Sequence, residues 1–162
     1  MPLTSAGLVE QVEAAARVIF APRPFPLATR EVKTFFGDLG RSLDFRICAS
    51  GYKGADDGEW LYDLVWFESD EEGFMIRQAL VLQTEGRPDL VLDGDFQKLV
   101  QARADLRVWI TSLPNAVLSR QHVETCKRQA QLFSGRSVGD IYLLIVYDWA
   151  AKLSLIERFA VV

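Results

Sequence analysis

Leu8, Val12, Ala15, Ala16 and Ile19 recur at helical spacing near the start of the chain, so they line one apolar face of a helix running to about Phe20. Thr4 or Ser5 stands in place to cap it. Glu13 and Arg17, four apart on the other side, suit an ion pair. Pro22, Pro24 and Pro26 then end the helix and force extended backbone. Thr29 is placed to cap a second helix, Arg30 to about Leu39, whose apolar set is Val32, Phe35, Phe36 and Leu39. Gly37 and Gly40 weaken its last turn.

The period then shifts towards two. Asp44 to Ser50 reads as a strand, and the glycine- and aspartate-rich stretch 51–58 as a loop. Glu59 to Glu68 alternates as a strand, with Trp60, Tyr62, Leu64 and Trp66 on one side and Leu61, Asp63, Val65 and Phe67 on the other. Asp63 therefore shares a face with apolar neighbours, which is unusual for a carboxylate. The polar connection Ser69 to Gly73 turns the chain into Phe74 to Thr84, giving an antiparallel hairpin.

Asp95 can cap a helix from Phe96 to Ala104, and Leu106 to Thr111 is a strand. Pro114 suits the first turn of a long helix to about Phe133, closed by Ser134-Gly135. Asp140 to Tyr147 is apolar enough to be buried on both faces, and Leu153 to Val161 is a last strand. Three meandering strands followed by strand–helix alternation predict an α/β fold: one domain over residues 1–162, with a mixed central β-sheet flanked by helices on both faces.

A chain of 162 residues with 49% hydrophobic content supports one real core, which argues against disorder. Two cysteines, Cys48 and Cys126, do not make a disulfide framework and read as buried thiols. The first residues lack the basic start and apolar run of a signal peptide, and no stretch reaches membrane-spanning length. The expected setting is the cytoplasm, without a membrane partner.

The net charge of −4 argues against wholesale nucleic-acid binding, but the charge is unevenly spread. Residues 54–95 carry twelve acids against two bases, including Arg87, Asp89 and Asp93; residues 96–136 carry seven bases against two acids. An acidic patch beside a basic one suits a metal-dependent phosphodiesterase, whose acids hold cations and whose bases hold phosphates, though charge clusters of this size are common on ordinary solvated surfaces.

This order, with Asp63 on the second strand, Gln83-Thr84-Glu85 at the end of the third and Lys98 on the helix that follows, resembles the PD-(D/E)XK nuclease superfamily, the restriction-endonuclease-like fold. The resemblance implies a core of helix, three strands, helix and strand. It implies an aspartate from the second strand, Glu-x-Lys from the third, and in some members a lysine moved to the following helix. Asp63 matches the aspartate and Lys98 the moved lysine. Gln83 stands at the glutamate position and Glu85 at the lysine position, while Glu10 or Glu13 matches an extra acid of some members.

The implied activity is Mg²⁺-dependent hydrolysis of a nucleic-acid phosphodiester, with Asp63, Glu85 and Lys98 catalytic and Asp63, Gln83 and Glu85 as metal ligands. Mg²⁺ takes oxygen ligands at about 2.1 Å and keeps several waters. It polarises the scissile phosphate and lowers the pKa of bound water, and a lysine nearby stabilises charge developing on the phosphoryl oxygens. A neutral Gln83 weakens that attraction.

Other roles compete for each residue. Asp63 can pair with Arg77 across the hairpin, Lys98 with Asp95 in its own helix, and Glu10 and Glu13 can form the wet face of the first helix. His122, the sole histidine, falls on the polar side of the long helix, four residues from Cys126. Gly51-x-x-Gly54 lacks the lysine and hydroxyl of a phosphate loop. An exposed Trp60 or Trp149 marks a partner surface. A second reading is therefore a catalytically inactive nuclease-fold protein that binds or assembles as a homodimer, with the apolar hairpin from Asp140 to Val162 as interface. A third is a small-molecule-binding domain with a closed apolar pocket.

Overall fold

The chain was described by a computed structural model covering residues 3–86 and 94–162; Arg87, Asp89 and Asp93 of the acidic stretch lie outside the described residues. The element order is α1 (Ser5–Ile19), α2 (Thr29–Ser42), β1 (Arg46–Ala49), β2 (Leu64–Ser69), β3 (Met75–Glu85), α3 (Gly94–Gln101), β4 (Leu106–Leu113), α4 (Ala116–Leu132), β5 (Ile141–Asp148) and β6 (Leu153–Ala160). The six strands form one mixed sheet in sequential order. β1, β2 and β3 are antiparallel, β3, β4 and β5 parallel, and β6 returns antiparallel to β5.

Topology decides which helix covers which face. The chain steps from β3 to β4 to β5 in one direction, and right-handed crossovers put both connecting helices on the same side of the sheet. Accordingly α3 and α4 bury Phe96, Leu99, Val123 and Cys126 against Val65, Val81, Trp109 and Leu144. The other face is left to α1 and α2, whose Leu8, Val12, Val32 and Phe36 pack on Ile47, Trp66, Leu82, Val108 and Ile145. β4 and β5 lie between the two layers and are almost wholly buried.

Helix ends follow local chemistry. Thr4 Oγ1 accepts a hydrogen bond from the Gly7 amide at 3.2 Å and caps α1. The cap of α2 falls on Ala28 rather than Thr29, with Glu31 Oε1 reaching back 3.1 Å to the Ala28 amide. Pro114 stands before α4 rather than in its first turn, and Asn115 caps the helix through a 3.0 Å bond from the Leu118 amide. Asp95 lies inside the first turn of α3 rather than at its cap, where its charge still suits the helix dipole.

The largest departure from the sequence pattern precedes β2. Glu59 to Asp63 is not strand, because Leu61 takes a positive φ of 57° and the Tyr62 amide bonds back to the Trp60 carbonyl at 2.6 Å. This turn swings Tyr62 to the side of Val65 and Phe67, away from Leu64 and Trp66.

Gly37 and Gly40 do not end α2; they let it touch its neighbours. A Cβ at Gly40 would lie 2.6 Å from Trp66 Nε1 and from Ile47 Cδ1, and one at Gly37 would lie 2.5 Å from the Tyr52 ring. Trp66 has no free space, being fully buried with its indole N–H bonded to the Phe36 carbonyl at 2.9 Å. Gly40→Ala should therefore destabilise the protein by about 1–3 kcal/mol through overpacking, despite a helix-propensity gain of about 1 kcal/mol. Urea denaturation measures this, and an unchanged or raised midpoint would contradict the close contact.

Candidate functional site at the start of β2

Asp63 is the residue immediately before β2, and two hydrogen bonds tie it to β3. Its amide donates to Gln83 Oε1 at 2.8 Å, and its Oδ2 accepts from the Thr84 amide at 2.8 Å. The Leu64–Leu82 register that follows places Asp63 beside Gln83. Gln83 is 2% exposed, so its carbonyl needs the partner that Asp63 supplies. The structure thus brings Asp63 and Gln83 together.

Asp63 is a perturbed acid. Its carboxyl pKa is pushed up to about 6 from 3.8, first by burial, then by a side-chain hydrogen bond with Glu59 and that residue's charge; the Thr84 amide and the charge of Lys33 pull the other way. Glu59 comes back to Asp63 because the turn at Leu61 breaks the expected strand.

Glu85 closes β3 beside Thr111 of β4, whose hydroxyl donates to the Glu85 carbonyl at 2.7 Å. With Thr84 it lines a small cleft of about 180 Å³ at the carboxyl ends of β3, β4 and β5, shared with Arg23, Thr29 and Tyr147. Such ends are where open α/β sheets take ligands.

Lys98 stands on α3 and pairs with Asp95 in its own helix at 3.2 Å. Its field acts on Tyr62, the residue before Asp63. The cation whose field acts on Asp63 is Lys33 of α2.

Several alternative pairings are corrected by the structure. Arg77 does not pair with Asp63: it binds Asp105 at 2.7 Å and Glu68 at 3.3 Å. Glu10 and Glu13 both reach Arg158 of β6 at 3.1 Å, and Glu13 also holds Arg17 at 3.0 Å. They clamp α1 to the sheet edge. His122 does not lie on a polar face, since its Nε2 accepts the Trp109 indole N–H at 2.9 Å and sits 3.5 Å from Cys126 Sγ. Burial holds its pKa below the usual histidine value.

Sequence reading missed Glu59 and Lys33. Only the backbone turn revealed the first. The second had a signal: Lys33, Phe36, Gly37 and Gly40 fall on one helical stripe, and all are buried.

The donors around Asp63 meet the lower limit for Mg²⁺. Two carboxylates, Asp63 and Glu59, share a hydrogen bond with the buried Gln83 oxygen beside them, and Mg²⁺ accepts one or two carboxylates when water and substrate phosphate complete its shell. Among the described residues no group of three His, Cys, Asp or Glu gathers to hold a metal. The set offers a divalent ion two carboxylates and one neutral oxygen, which falls short of a resident cation's shell.

The raised pKa has a stability consequence. The native protein keeps on Asp63 a proton that the unfolded chain releases near 3.8. Stability therefore falls as pH rises from about 4 to about 6 and levels off above, by at most about 3 kcal/mol. Asp63→Asn keeps the acceptor for Thr84 and carries no charge, so this decline should vanish and its urea midpoint at pH 7 should exceed the parent's. Parallel pH profiles for the two proteins would contradict the buried-acid assignment. No protein-family model, no curated protein and no solved structure matches the chain.

Proposed function

We propose that this chain is a metal-dependent nuclease-like protein with a restriction-endonuclease-like core, acting on a nucleic-acid phosphodiester. The observation that carries this reading is Asp63: a half-buried carboxylate at the start of the second strand, hydrogen-bonded into the end of the third and paired with Glu59. The order helix, three antiparallel strands, helix, and a strand parallel to the third supports it. So does the cleft that Glu85 lines. The proposed setting is the cytoplasm.

Asp63 and Glu59, with the Gln83 oxygen beside them, would hold Mg²⁺, which when bound polarises a phosphodiester and acidifies a water; Glu85 lines the neighbouring cleft. The protein's own part is positional. The Thr84 amide fixes the Asp63 carboxyl and Gln83 holds the Asp63 backbone amide, and a hydrogen-bonded carboxyl of raised pKa at neutral pH can accept or give up a proton. Gln83 in place of an acid lowers the negative charge of the site and with it the metal affinity.

The second reading, an inactive nuclease-fold binding protein that forms homodimers, is favoured by Lys98, held by Asp95 in its own helix. It is also favoured by the exposure of Trp149 and Leu153 at the turn into β6, an edge strand. Light scattering tests it: a mass near 18.3 kDa, that of one chain, removes the dimer.

For the leading reading, Mn²⁺ or Mg²⁺ at neutral pH should raise the melting temperature of the parent and not of Asp63→Ala. Cleavage of DNA or RNA should require the metal and fall by about a hundredfold or more in the variant. Identical melting shifts and identical cleavage in the two proteins would refute the metal-dependent reading.

A further inference from the structure

We infer that the pocket between the first turns of α2 and the loop after β1 is a binding site for a phosphate group. Its volume is about 650 Å³, and its lining includes Thr29, Arg30, Lys33, Ser50, Tyr52 and Lys53, with no acid among the lining residues. Three cations thus surround one hollow in a chain whose net charge is −4.

Lys33 is the decisive member. It is only 8% exposed. Its ammonium donates to the Ser50 carbonyl at 3.2 Å and to Ser50 Oγ at 3.0 Å. These are two neutral acceptors from one residue, and an ammonium has three donors. Among the described residues no carboxylate lies within 4.0 Å of it; Asp63 acts on it only at longer range. A buried lysine without an ion partner is rare, because desolvation of the charge is uncompensated. An anion in the adjoining pocket supplies that compensation.

Three carboxylates of α2 and the loop after β1 are committed elsewhere. Asp56 is bound by Arg41 and accepts from the Ile47 amide. Asp38 accepts the Tyr52 hydroxyl at 2.8 Å. Glu31 takes the Ala28 amide at 3.1 Å. Arg30 and Lys53 form no ion pair with any described residue. The residue at the α2 cap, Ala28, offers no side-chain acceptor, and Glu31 takes its amide.

The pocket is built rather than incidental. Gly51, at φ 73°, turns the chain after β1, and the Tyr52 ring lies against Gly37 where a Cβ would be 2.5 Å away. That contact holds Ser50 and Lys53 over α2. A phosphate group suits the result, since its several oxygens can take an arginine fork and two ammonium groups together. The pocket shares Thr29 with the cleft that Glu85 lines. The inference does not need cleavage: an inactive scaffold would bind phosphate equally well, and the Asp63→Ala assays can fail while this site stands.

The test uses the full chain with two probes, inorganic phosphate by calorimetry and a fluorescein-labelled oligothymidylate by anisotropy, both at low salt. Arg30→Ala and Lys53→Ala change groups outside the core, and Arg120→Ala on the exposed face of α4 is the control. The expected result is binding by the parent and by Arg120→Ala, with at least a roughly tenfold loss in each pocket variant. Lys33→Met should abolish it while the far-ultraviolet spectrum stays native. Binding of inorganic phosphate alone identifies a small phosphorylated ligand; binding of the oligonucleotide, competed by phosphate, identifies a nucleic-acid backbone. Failure of both probes to bind, or binding that Arg30→Ala and Lys53→Ala leave at the parent level, overturns the inference.

Discussion

Close approach of α2 to the sheet is the contact on which both the core and the candidate sites depend. Gly40 lets the helix backbone meet the Trp66 indole at Nε1, and the buried indole N–H is satisfied by the Phe36 carbonyl. A tryptophan buried without that acceptor would carry the full cost of an unpaired donor. One turn earlier, Gly37 admits the Tyr52 ring and draws the loop after β1 onto the helix. Lys33 and Asp63 owe their mutual field to this docking, since one belongs to α2 and the other to the start of β2. The stripe of Lys33, Phe36, Gly37 and Gly40 is therefore both packing surface and pocket wall.

Buried charge in this protein falls into two kinds. Arg107 is 3% exposed, yet it is compensated by Asp140 at 3.2 Å, by the Ala102 and Ala104 carbonyls, and by the face of Tyr142. It reads as structural cement between β4 and the turn before β5. Asp63 and Lys33 differ: neither has an ion pair at contact distance; Lys33 leans on two neutral acceptors of Ser50, and Asp63 on the Thr84 amide and on Glu59. Burying charge without a counter-charge costs stability, and that cost is commonly tolerated where a ligand or a proton is to be handled. The two groups lie on adjoining elements, α2 and the residue before β2, and each feels the other's charge.

The opposite character of the α3–α4 side reinforces this division. Trp109, His122 and Cys126 form a buried polar contact, but it is enclosed between α4 and β4 and serves to satisfy an indole N–H. Lys98 remains on the outer surface of α3 with Asp95. Arg103 and Arg107 of this half share their hollow with Asp105 and Asp140, while the cations around Lys33 converge on one with no acid in its lining. Convergence, not number, separates a binding field from a solvated surface.

The hydrophobic period alone determined the order and type of the elements, because helices and strands impose different repeats on whatever is buried. It placed Asp63, Gln83 and Glu85 on the hairpin and its exit, and it marked Asp140 to Tyr147 as a strand covered on both sides. It misplaced the start of β2, since the turn at Leu61 is invisible to an alternation that continues through it. It read Gly37 and Gly40 as helix breakers, because the rings that need their space come from residues 52 and 66. Lys33 passed unnoticed for the same reason: the stripe that buries it shows in the sequence, but the loop that roofs it does not. Which charges end up paired, and which are left facing a hollow, was decided only when α2, the β1 exit and the start of β2 met. Such pairing depends on distances of a few ångströms between segments far apart in the chain, and periodicity carries no information about those.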